Sequence, residues 1–288
     1  MRVSVVIATK DRAGRLDAAL SSLSAQAGAP PFEIVVVDNG STDRTRAVAN
    51  EHGAIYVYVA EPNRGKARNA GGSQASGERI LFVDDDVVTP PHFVASHARA
   101  HDYAATPLAV SGPIINVADA GERPLPTATN ASRAFFVTCN VSLQRALFTA
   151  VGGFDEAFDL YGWEDTELGV RLRGHGVRRR FVWDAYLWHI KPPSPEALDD
   201  ALGKAIEKAR MAAQFVRKMP TTRVKLATGA YGLNLLRARV LAAPALQPLY
   251  AGLATSGRLP PALASVARGL LLDSVYTEEL DRQLSRGD

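Results

Sequence analysis

The sequence contains only one cysteine, Cys139, among its 288 residues. A single cysteine excludes a disulfide within the chain and leaves no cysteine-based zinc site. No run of 18 residues is free of charges and helix breakers, so no membrane-spanning helix is predicted. The N-terminus has no apolar segment typical of a signal peptide, because Lys10, Asp11 and Arg12 follow the first apolar run. These absences predict a cytoplasmic protein.

The chain also lacks a glycine-rich loop after its first predicted strand. That position holds Ala8-Thr9-Lys10-Asp11-Arg12 and not Gly-x-Gly-x-x-Gly. A dinucleotide-binding domain needs those glycines, because the backbone must approach the pyrophosphate closely. The sequence therefore argues against a dinucleotide-binding domain of the Rossmann type.

Acidic residues are scarce in one long segment. Between Gly203 and Arg268 the sequence has eleven Lys and Arg residues and one acid, Glu207, although the net charge of the whole chain is only +3. The rest of the chain is therefore net acidic. A basic tail rich in Leu and Ala suggests an anionic partner for this segment.

Apolar runs and helical spacing alternate through the first 85 residues. Strands are predicted at 3–8, 33–37, 54–59 and 79–83, with helices at 15–26, 41–53 and 65–75 between them. This alternation is typical of an α/β fold with a doubly wound, mostly parallel sheet. Further elements are a helix at 92–104, a strand at 108–117, a loop at 119–132, a strand at 135–143, a helix at 164–173, and strands at 177–183 and 185–190.

A proline-rich run at 192–195 ends this pattern. We expect a domain over residues 1–191, with halves at about 1–104 and 105–191, and a basic helical extension over 192–288. Proline rarely continues a helix or a central strand, which is why the run predicts a boundary.

Polar side chains follow three of the predicted strands, where the strands end. Asp84, Asp85 and Asp86 come after the strand at 79–83, Asp38 after the second strand, and Thr9 after the first. Carboxyl ends of parallel strands meet at one edge, where open α/β sheets bind ligands. Three adjacent carboxylates repel one another unless a cation lies among them. The alternative interpretation is a solvated acidic turn before Pro90, with Asp11 and Asp38 serving turns and helix caps.

Six motifs occur in order along about residues 1–190, at Val3–Arg12, Val35–Asp43, Asn63–Gly71, Leu81–Asp86, Gly152–Glu156 and Gly162–Glu167. Together they resemble the successive motifs of family 2 glycosyltransferases with the GT-A fold. On the donor side, the resemblance implies a nucleoside diphosphate sugar carrying UDP, GDP or dTDP. The residues implied to hold it are Ala8, Thr9, Asp11, Asp38, Arg68, Asp84 and Asp85, with Asp38 at the base and Asp84 at ribose or sugar hydroxyls.

The resemblance also implies a Mn²⁺ or Mg²⁺ site formed by Asp86, the last residue of an Asp-x-Asp pattern, and His189. On the acceptor side it implies Asp165 as the catalytic base, with Glu164 orienting a hydroxyl and Trp163 stacking on a sugar. Alternative interpretations are a structural strand histidine, a core tryptophan, and acids that favour the first turn of a helix.

Three functions remain open from the residues. The first is an inverting, metal-dependent glycosyltransferase acting on a glycan, lipid-linked or small-molecule hydroxyl. The second is a nucleotidyltransferase of related fold, and the third is a catalytically inactive sugar-binding module. For the basic tail, the alternatives are docking on an anionic membrane surface, as for a peripheral protein on the inner face of the cell membrane, and packing as a solvated helical subdomain. No motif accompanies the charge that would predict nucleic-acid binding.

Overall fold

The computed structural model describes residues 2–102, 104–191, 196–241, 243–257 and 259–286. These residues form two compact units. The first comprises 2–159 and 164–191, and the second comprises 160–163 and 196–286. The predicted boundary at the proline-rich run of 192–195 lies outside the described residues. Residues 160–163, which the sequence interpretation assigned to the first domain, belong to the second unit.

The first unit is an α/β structure with ten strands and six α-helices among its described residues. The strands are β1 (Val3–Thr9), β2 (Phe32–Asp38), β3 (Ile55–Tyr58), β4 (Arg79–Val83), β5 (Val87–Val88), β6 (Leu108–Ser111), β7 (Ile114–Val117), β8 (Asn140–Gln144), β9 (Arg178–Phe181) and β10 (Leu187–Ile190). The helices are α1 (Ala13–Ser24), α2 (Thr45–Glu51), α3 (Arg64–Gln74), α4 (Phe93–His101), α5 (Arg145–Ala150) and α6 (Glu164–Gly174).

Seven strands form the main sheet in the order β3-β2-β1-β4-β8-β6-β9. The four strands from the start of the chain are parallel, and only β8 runs against its neighbours β4 and β6. The predicted mostly parallel sheet is therefore confirmed. Because β1, β2 and β4 are adjacent and parallel, their polar carboxyl ends meet at one edge.

Helices cover both faces of this sheet. Alternate side chains of β1 enter different cores, since neighbouring residues of a strand point to opposite faces. Val5 and Ile7 pack in a cluster with Leu16 of α1, whereas Val6 packs in another with Phe148 of α5 and Leu168 of α6. The near-continuous apolar runs of the central strands follow from this burial on two sides.

The predicted strand at 108–117 is in fact two strands in different sheets. β6 belongs to the main sheet, whereas β7 joins β5 and β10 in a separate sheet of order β5-β10-β7. Gly112 lies at the break, and a Cβ atom there would come within 1.9 Å of the carbonyl oxygen of Ala185. Pro113 lacks the N–H that a continuous ladder requires. The predicted strand at 135–143 is likewise shorter, beginning at Asn140.

The second unit is helical. It contains α7 (Leu198–Lys218), α8 (Thr222–Thr228), α9 (Gly232–Leu241), α10 (Gln247–Thr255) and α11 (Pro261–Ser285). α7 and α11 are joined by an ion pair of 2.8 Å between Arg210 and Glu279, and Arg237 pairs with Asp273 at 2.7 Å. Part of the basic charge is thus neutralised within the unit. None of the helices in the described ranges is both long and apolar enough to cross a membrane.

Candidate active site

The three aspartates after β4 point to different partners. Asp85 is buried, and its carboxylate accepts a hydrogen bond of 2.7 Å from the Thr9 hydroxyl and one of 3.1 Å from Arg12. Burial raises the pKa of Asp85, although Thr9 and Arg12 oppose the change. Asp85 therefore ties the end of β4 to the end of β1, and its contacts are those of a positioning residue.

Asp86 lies between two arginines and a histidine. Its Oδ2 is 3.2 Å from Arg12 and 3.4 Å from Arg15, and its Oδ1 is 3.1 Å from His189 Nε2. Burial alone would raise the pKa of Asp86, but the bond to His189 and the charges of His189, Arg12 and Arg15 lower it overall. The Asp86 carboxylate is therefore held ionised.

Sequence reasoning overlooked Arg12 and Arg15. A signal was available, because Arg12 is the N-cap of α1 and Arg15 lies in its first turn. Cations are unfavourable at that end of a helix, where the macrodipole is positive. Two arginines there indicate an anionic neighbour, which the structure identifies as the carboxylates of Asp85 and Asp86.

Backbone pairing brings His189 to the acidic edge from a distant part of the sequence. His189 pairs with Val87 in the antiparallel ladder of β5 and β10, and the Ile190 amide donates to the Asp86 carbonyl at 2.8 Å. Cross-strand Asn116 lies on the other side, its Oδ1 3.1 Å from His189 Nδ1. With Nδ1–H donating to Asn116, Nε2 is the nitrogen that faces Asp86.

The chemistry of this donor set fits a divalent cation. Adjacent ligands of an octahedral Mg²⁺ or Mn²⁺ with bonds of about 2.1 Å are about 3 Å apart, and Asp86 Oδ1 and His189 Nε2 are separated by 3.1 Å. Asp84 contributes a further ligand atom within 4.8 Å of His189, in a cluster that also includes Cys139. The two residues predicted as metal ligands are thus brought together, and two more lie beside them.

Arg68 of α3 is nearly buried and links the two sequence halves of the first unit. Its guanidinium lies 3.2 Å from Glu164, 3.5 Å from Asp84 and 3.8 Å from Asp165. Burial opposes the charge of Arg68, but Asp165, Asp84 and Glu164 together raise its pKa. Three carboxylates around one cation explain why the Arg68 side chain stays charged inside the protein. Its ion pairs are with acids of both predicted halves.

Asp165 is held in an asymmetric environment. Its Oδ2 accepts hydrogen bonds from the Thr138 amide (2.9 Å) and hydroxyl (3.0 Å). Within the described chain its Oδ1 is buried and accepts no hydrogen bond. Burial raises the pKa of Asp165 to about 6, with the charge of Glu164 adding to the effect and Arg68 opposing it. Thr138 therefore fixes Oδ2, whereas Oδ1 faces Arg68 Nη1 at 3.8 Å and accepts no hydrogen bond from it.

The predicted nucleotide residues Asp11 and Asp38 organise neighbouring turns. Asp38 is buried and accepts from the Ser41 amide and the Tyr56 hydroxyl, each at 2.7 Å. Asp11 has a φ of +50° and accepts from the Thr42 amide at 2.7 Å. Both carboxylates thus make contacts within turns, and the bond from the Thr42 amide to Asp11 ties the loop after β2 to the loop after β1.

Thr9 and Asp38 face each other as cross-strand partners at the ends of β1 and β2, and Ala8 pairs with Val37 one residue earlier. Ala8 is partly buried, so its backbone lies near the surface of the edge. Nucleotide contacts of these residues remain a prediction. Their common position at the carboxyl edge of the sheet is the location that such contacts require.

Trp163 belongs to the second unit. Its indole N–H donates to the Lys208 carbonyl at 2.9 Å, and its ring lies 6.2 Å from that of Phe215. Its φ of +74° is unusual for a residue other than glycine. The packing against α7 gives Trp163 a structural role, while its predicted stacking on an acceptor sugar stays a prediction.

Two family models match the chain. Residues 4–154 match the model described as glycosyl transferase family 2, and residues 127–191 match one described as the N-terminal domain of galactosyltransferase. The first match covers more than half of the chain and includes Asp38, Arg68 and Asp84–Asp86.

A curated relative in sequence is validoxylamine A glucosyltransferase of Streptomyces hygroscopicus subsp. limoneus. It is 34% identical over 263 residues, which cover 76% of this chain and 57% of the relative. The same enzyme of S. hygroscopicus subsp. jinggangensis is also 34% identical, with 61% of its length covered. The chain thus spans about 60% of the length of these relatives.

Solved structures share the fold at lower identity. The mannosyltransferase PcManGT from Pyrobaculum calidifontis, in complex with GDP-Man and Mn²⁺, aligns with a TM-score of 0.63 at 19% identity, covering 100% of this chain and 88% of that one. Residues 1–349 of S. aureus TarS, in complex with UDP-GlcNAc, align with a TM-score of 0.57 at 20% identity, covering 100% and 93%. The fold is thus that of GT-A glycosyltransferases, and the chain belongs to glycosyl transferase family 2.

Proposed function

We propose that the protein is an inverting, metal-dependent glycosyltransferase that moves a sugar from a nucleoside diphosphate sugar to an acceptor hydroxyl. The environment of Asp165 carries this proposal. Asp165 Oδ1 has the charge of Arg68 at 3.8 Å but no hydrogen bond. A buried oxygen without a hydrogen bond costs free energy, and a hydroxyl that donates to Oδ1 would reduce this cost. Such a hydroxyl is then hydrogen-bonded to a base whose pKa of about 6 suits proton transfer near neutral pH.

In this mechanism, Asp165 Oδ1 accepts the proton of the acceptor hydroxyl as the oxygen attacks C1 of the donor sugar. Thr138 fixes the orientation of the carboxylate through two hydrogen bonds to Oδ2. Glu164 orients the acceptor hydroxyl. One base acting on the side opposite the leaving group gives a single displacement, which inverts the anomeric configuration.

The acidic edge of the sheet would receive the donor. Asp86 and His189 would hold Mn²⁺ or Mg²⁺, which when bound neutralises the diphosphate leaving group. Arg12 and Arg15 contribute further positive charge next to Asp86. The ligands named for the two solved structures, GDP-Man with Mn²⁺ and UDP-GlcNAc, support a nucleoside diphosphate sugar as the donor class.

The remaining donor contacts follow the family resemblance. Asp38 would read the base edge and Asp84 the ribose or sugar hydroxyls, with Ala8, Thr9, Asp11, Asp85 and Arg68 completing the site. The name of the glucosyltransferase relatives is compatible with a small-molecule hydroxyl as the acceptor, alongside glycan and lipid-linked acceptors.

Product analysis tests the reaction class. The full chain is incubated with Mn²⁺, an acceptor panel and UDP-, GDP- or dTDP-sugars, and the released nucleotide is identified. Release of the nucleoside diphosphate with an inverted glycosidic bond is expected. Release of pyrophosphate from a nucleoside triphosphate and a sugar phosphate would indicate a nucleotidyltransferase instead. Donor binding without turnover on any acceptor would favour a sugar-binding module.

The pH profile tests the state of Asp165. A base acts in its ionised form, and a pKa raised to about 6 means that this form is lost as the pH falls through that value. We expect kcat/KM for the acceptor to fall about tenfold per pH unit below about pH 6, at saturating Mn²⁺. The charged groups that face Asp165 are Arg68, Glu164 and Asp84.

A Thr138→Val variant tests whether Asp165 is the group that titrates on the acid side of this pH profile. Thr138→Val removes the hydroxyl that donates to Asp165 Oδ2 and keeps the backbone amide. Loss of a hydrogen bond to the ionised form raises the pKa, so the limb should move to higher pH. A limb that does not move would show that another group titrates.

We further propose that the second unit docks on an anionic membrane surface. Helices α8 to α11 each expose at least one large apolar side chain by more than half. These are Leu226 on α8, Leu233, Leu236 and Val240 on α9, Leu249 on α10, and Leu263 and Val266 on α11. Apolar side chains interspersed with arginine and lysine are typical of helices that lie in a membrane interface.

Liposome flotation tests the docking. At low salt, we expect the full chain to float with vesicles containing anionic lipid and to stay unbound with neutral vesicles. A Leu233→Asp/Leu236→Asp double variant should float less, because it replaces two exposed apolar side chains of α9 with negatively charged ones. Absence of flotation at low salt, or equal flotation of the double variant, would contradict membrane docking.

A further inference from the structure

Cys139, the only cysteine of the chain, lies in a cluster with two residues of the acidic edge. One ligand atom each from Asp84, Cys139 and His189 can be chosen so that all three lie within 4.8 Å of one another. The sheet register explains the contact, because Val83 of β4 is paired with Asn140 of β8 in an antiparallel ladder. The residue after Val83 therefore faces the residue before Asn140.

We propose that Asp84, Cys139 and His189 form a binding site for Zn²⁺. The site supplies one sulfur, one nitrogen and one oxygen ligand, which is a donor set that Zn²⁺ takes and that Mg²⁺ does not. The single cysteine had argued against a zinc site built from several thiols. That argument does not apply when a carboxylate and an imidazole supply the other ligands.

The dimensions of the cluster are compatible with this cation. Tetrahedral Zn²⁺ with bonds of about 2.0–2.3 Å separates its ligand atoms by about 3.3–3.8 Å. Side-chain shifts of about 1–1.5 Å at the widest pair would bring the three ligands to these distances. Asp84 and His189 are partly exposed, with side-chain exposures of 33% and 17%, whereas Cys139 is buried, so a cation would enter from the side of Asp84 and His189.

Neighbouring groups already hold the ligands in place. Asn116 Oδ1 lies 3.1 Å from His189 Nδ1, so a proton on Nδ1 would leave Nε2 to bind the cation once Nε2 gives up its hydrogen bond to Asp86. Asp86 Oδ1 lies 3.1 Å from Nε2 but outside this group of three ligand atoms, so the fourth position of a tetrahedral cation is left to water. Formation of the Zn–S bond releases the thiol proton of Cys139 to solvent, so the charge of the bound cation is partly balanced by the new thiolate.

If the protein is the proposed glycosyltransferase, occupancy of this site by Zn²⁺ affects the binding of the donor and its metal. His189 would be shared between Zn²⁺ and the Mn²⁺ or Mg²⁺ of the donor complex. The two metals should therefore compete, with Zn²⁺ weakening the binding of Mn²⁺. The zinc site itself depends only on the geometry of the three ligands.

Cadmium and zinc titrations of the full chain test the site. Cd²⁺, a thiophilic probe, should produce a saturable thiolate-to-metal charge-transfer absorption with a stoichiometry of one per chain. The signal can have only one source, because the chain has one cysteine. The Zn²⁺ affinity, measured by calorimetry, should fall at least tenfold in Cys139→Ser and in His189→Ala.

The matched control is His52→Ala, which removes a histidine that pairs with Asp17 away from the cluster. It should leave the Zn²⁺ affinity and the Cd²⁺ absorption unchanged. No charge-transfer absorption in the unmodified chain, or equal Zn²⁺ affinity in His189→Ala and the unmodified chain, would overturn the proposal. Donor binding with Mn²⁺ tests the proposed function separately, so a chain that takes up Zn²⁺ and binds no nucleotide sugar would contradict only that function.

Discussion

Replacement of Asp165 by asparagine is expected to reduce kcat for sugar transfer by about 10²–10⁴-fold, the range that a general base contributes. The amide oxygen can still accept both hydrogen bonds from Thr138, so the side chain should keep its place on α6. The introduced amide, however, cannot take a proton from the acceptor hydroxyl. The loss should therefore appear in kcat and not in donor affinity.

The measurement is release of nucleoside diphosphate in a coupled assay, with donor affinity in the presence of Mn²⁺ determined by calorimetry. Glu164→Gln is the matched comparison, because Glu164 also lies beside Arg68 and receives the same isosteric change. This variant should raise KM for the acceptor more than it lowers kcat. A wild-type kcat for Asp165→Asn, with an unchanged thermal midpoint, would show that Asp165 is not the base.

Replacement of Asp86 by alanine is expected to abolish transfer and to remove the Mn²⁺ dependence of donor binding. Asp86 is the carboxylate held ionised against His189, and its loss leaves that side of the metal site with an imidazole alone. A metal that stabilises a developing diphosphate by about 4 kcal/mol accounts for about 10³-fold in rate. The substitution should therefore lower kcat/KM by at least this factor.

Calorimetry of donor binding with and without Mn²⁺ is the decisive measurement. Asp17→Ala is the control, because it removes a carboxylate from the exposed side of α1, where Asp17 pairs with His52. It should retain both activity and Mn²⁺-dependent binding. If Asp86→Ala still bound the donor more tightly with Mn²⁺ than without it, the metal would have to be held by other residues, and Asp84 would be the next candidate.

The two expected defects separate the halves of the site. Asp86→Ala should impair binding of donor and metal, whereas Asp165→Asn should impair only the chemical step. Arg68 lies between these groups, touching Asp84 on one side and Glu164 and Asp165 on the other. A change of charge in either half therefore alters the electrostatic environment of the other through the guanidinium of Arg68. The free-energy effects of substitutions in the two halves are not expected to be additive.

Part of the site could be predicted from local sequence, because the end of a buried strand is a local signal. The apolar run of β4 followed by three acids locates Asp84–Asp86, and the parallel arrangement of β1, β2 and β4 puts Thr9 and Asp38 at the same edge. These positions follow from the alternation of strands and helices and from the burial of the central strands. The confirmed fold class has the same origin, since each helix and strand in this region has a clear period.

Other parts of the site depend on the pairing of strands that are distant in sequence, which no local sequence pattern indicates. Cys139 meets Asp84 only because β8 enters the sheet antiparallel to β4. Thr138 then lies at Asp165, 27 residues away, and supplies both bonds that orient this side chain. The sequence interpretation had continued a strand through residues 135–143 and gave Thr138 no role. The error has a physical reason, since an apolar run in the sequence does not show at which residue the hydrogen bonding to a neighbouring strand begins.

The sequence by itself determined the doubly wound α/β fold, the acidic edge and the family, because burial, periodicity and motif order are properties of the linear chain. Only the tertiary structure decided which carboxylate has which partner: Asp85 faces Thr9, Asp86 faces His189, and Asp84 faces Arg68 and Cys139. Three adjacent aspartates are chemically identical in sequence. Their environments come from strands and helices that are far apart along the chain, and it is these environments that give each carboxylate different partners.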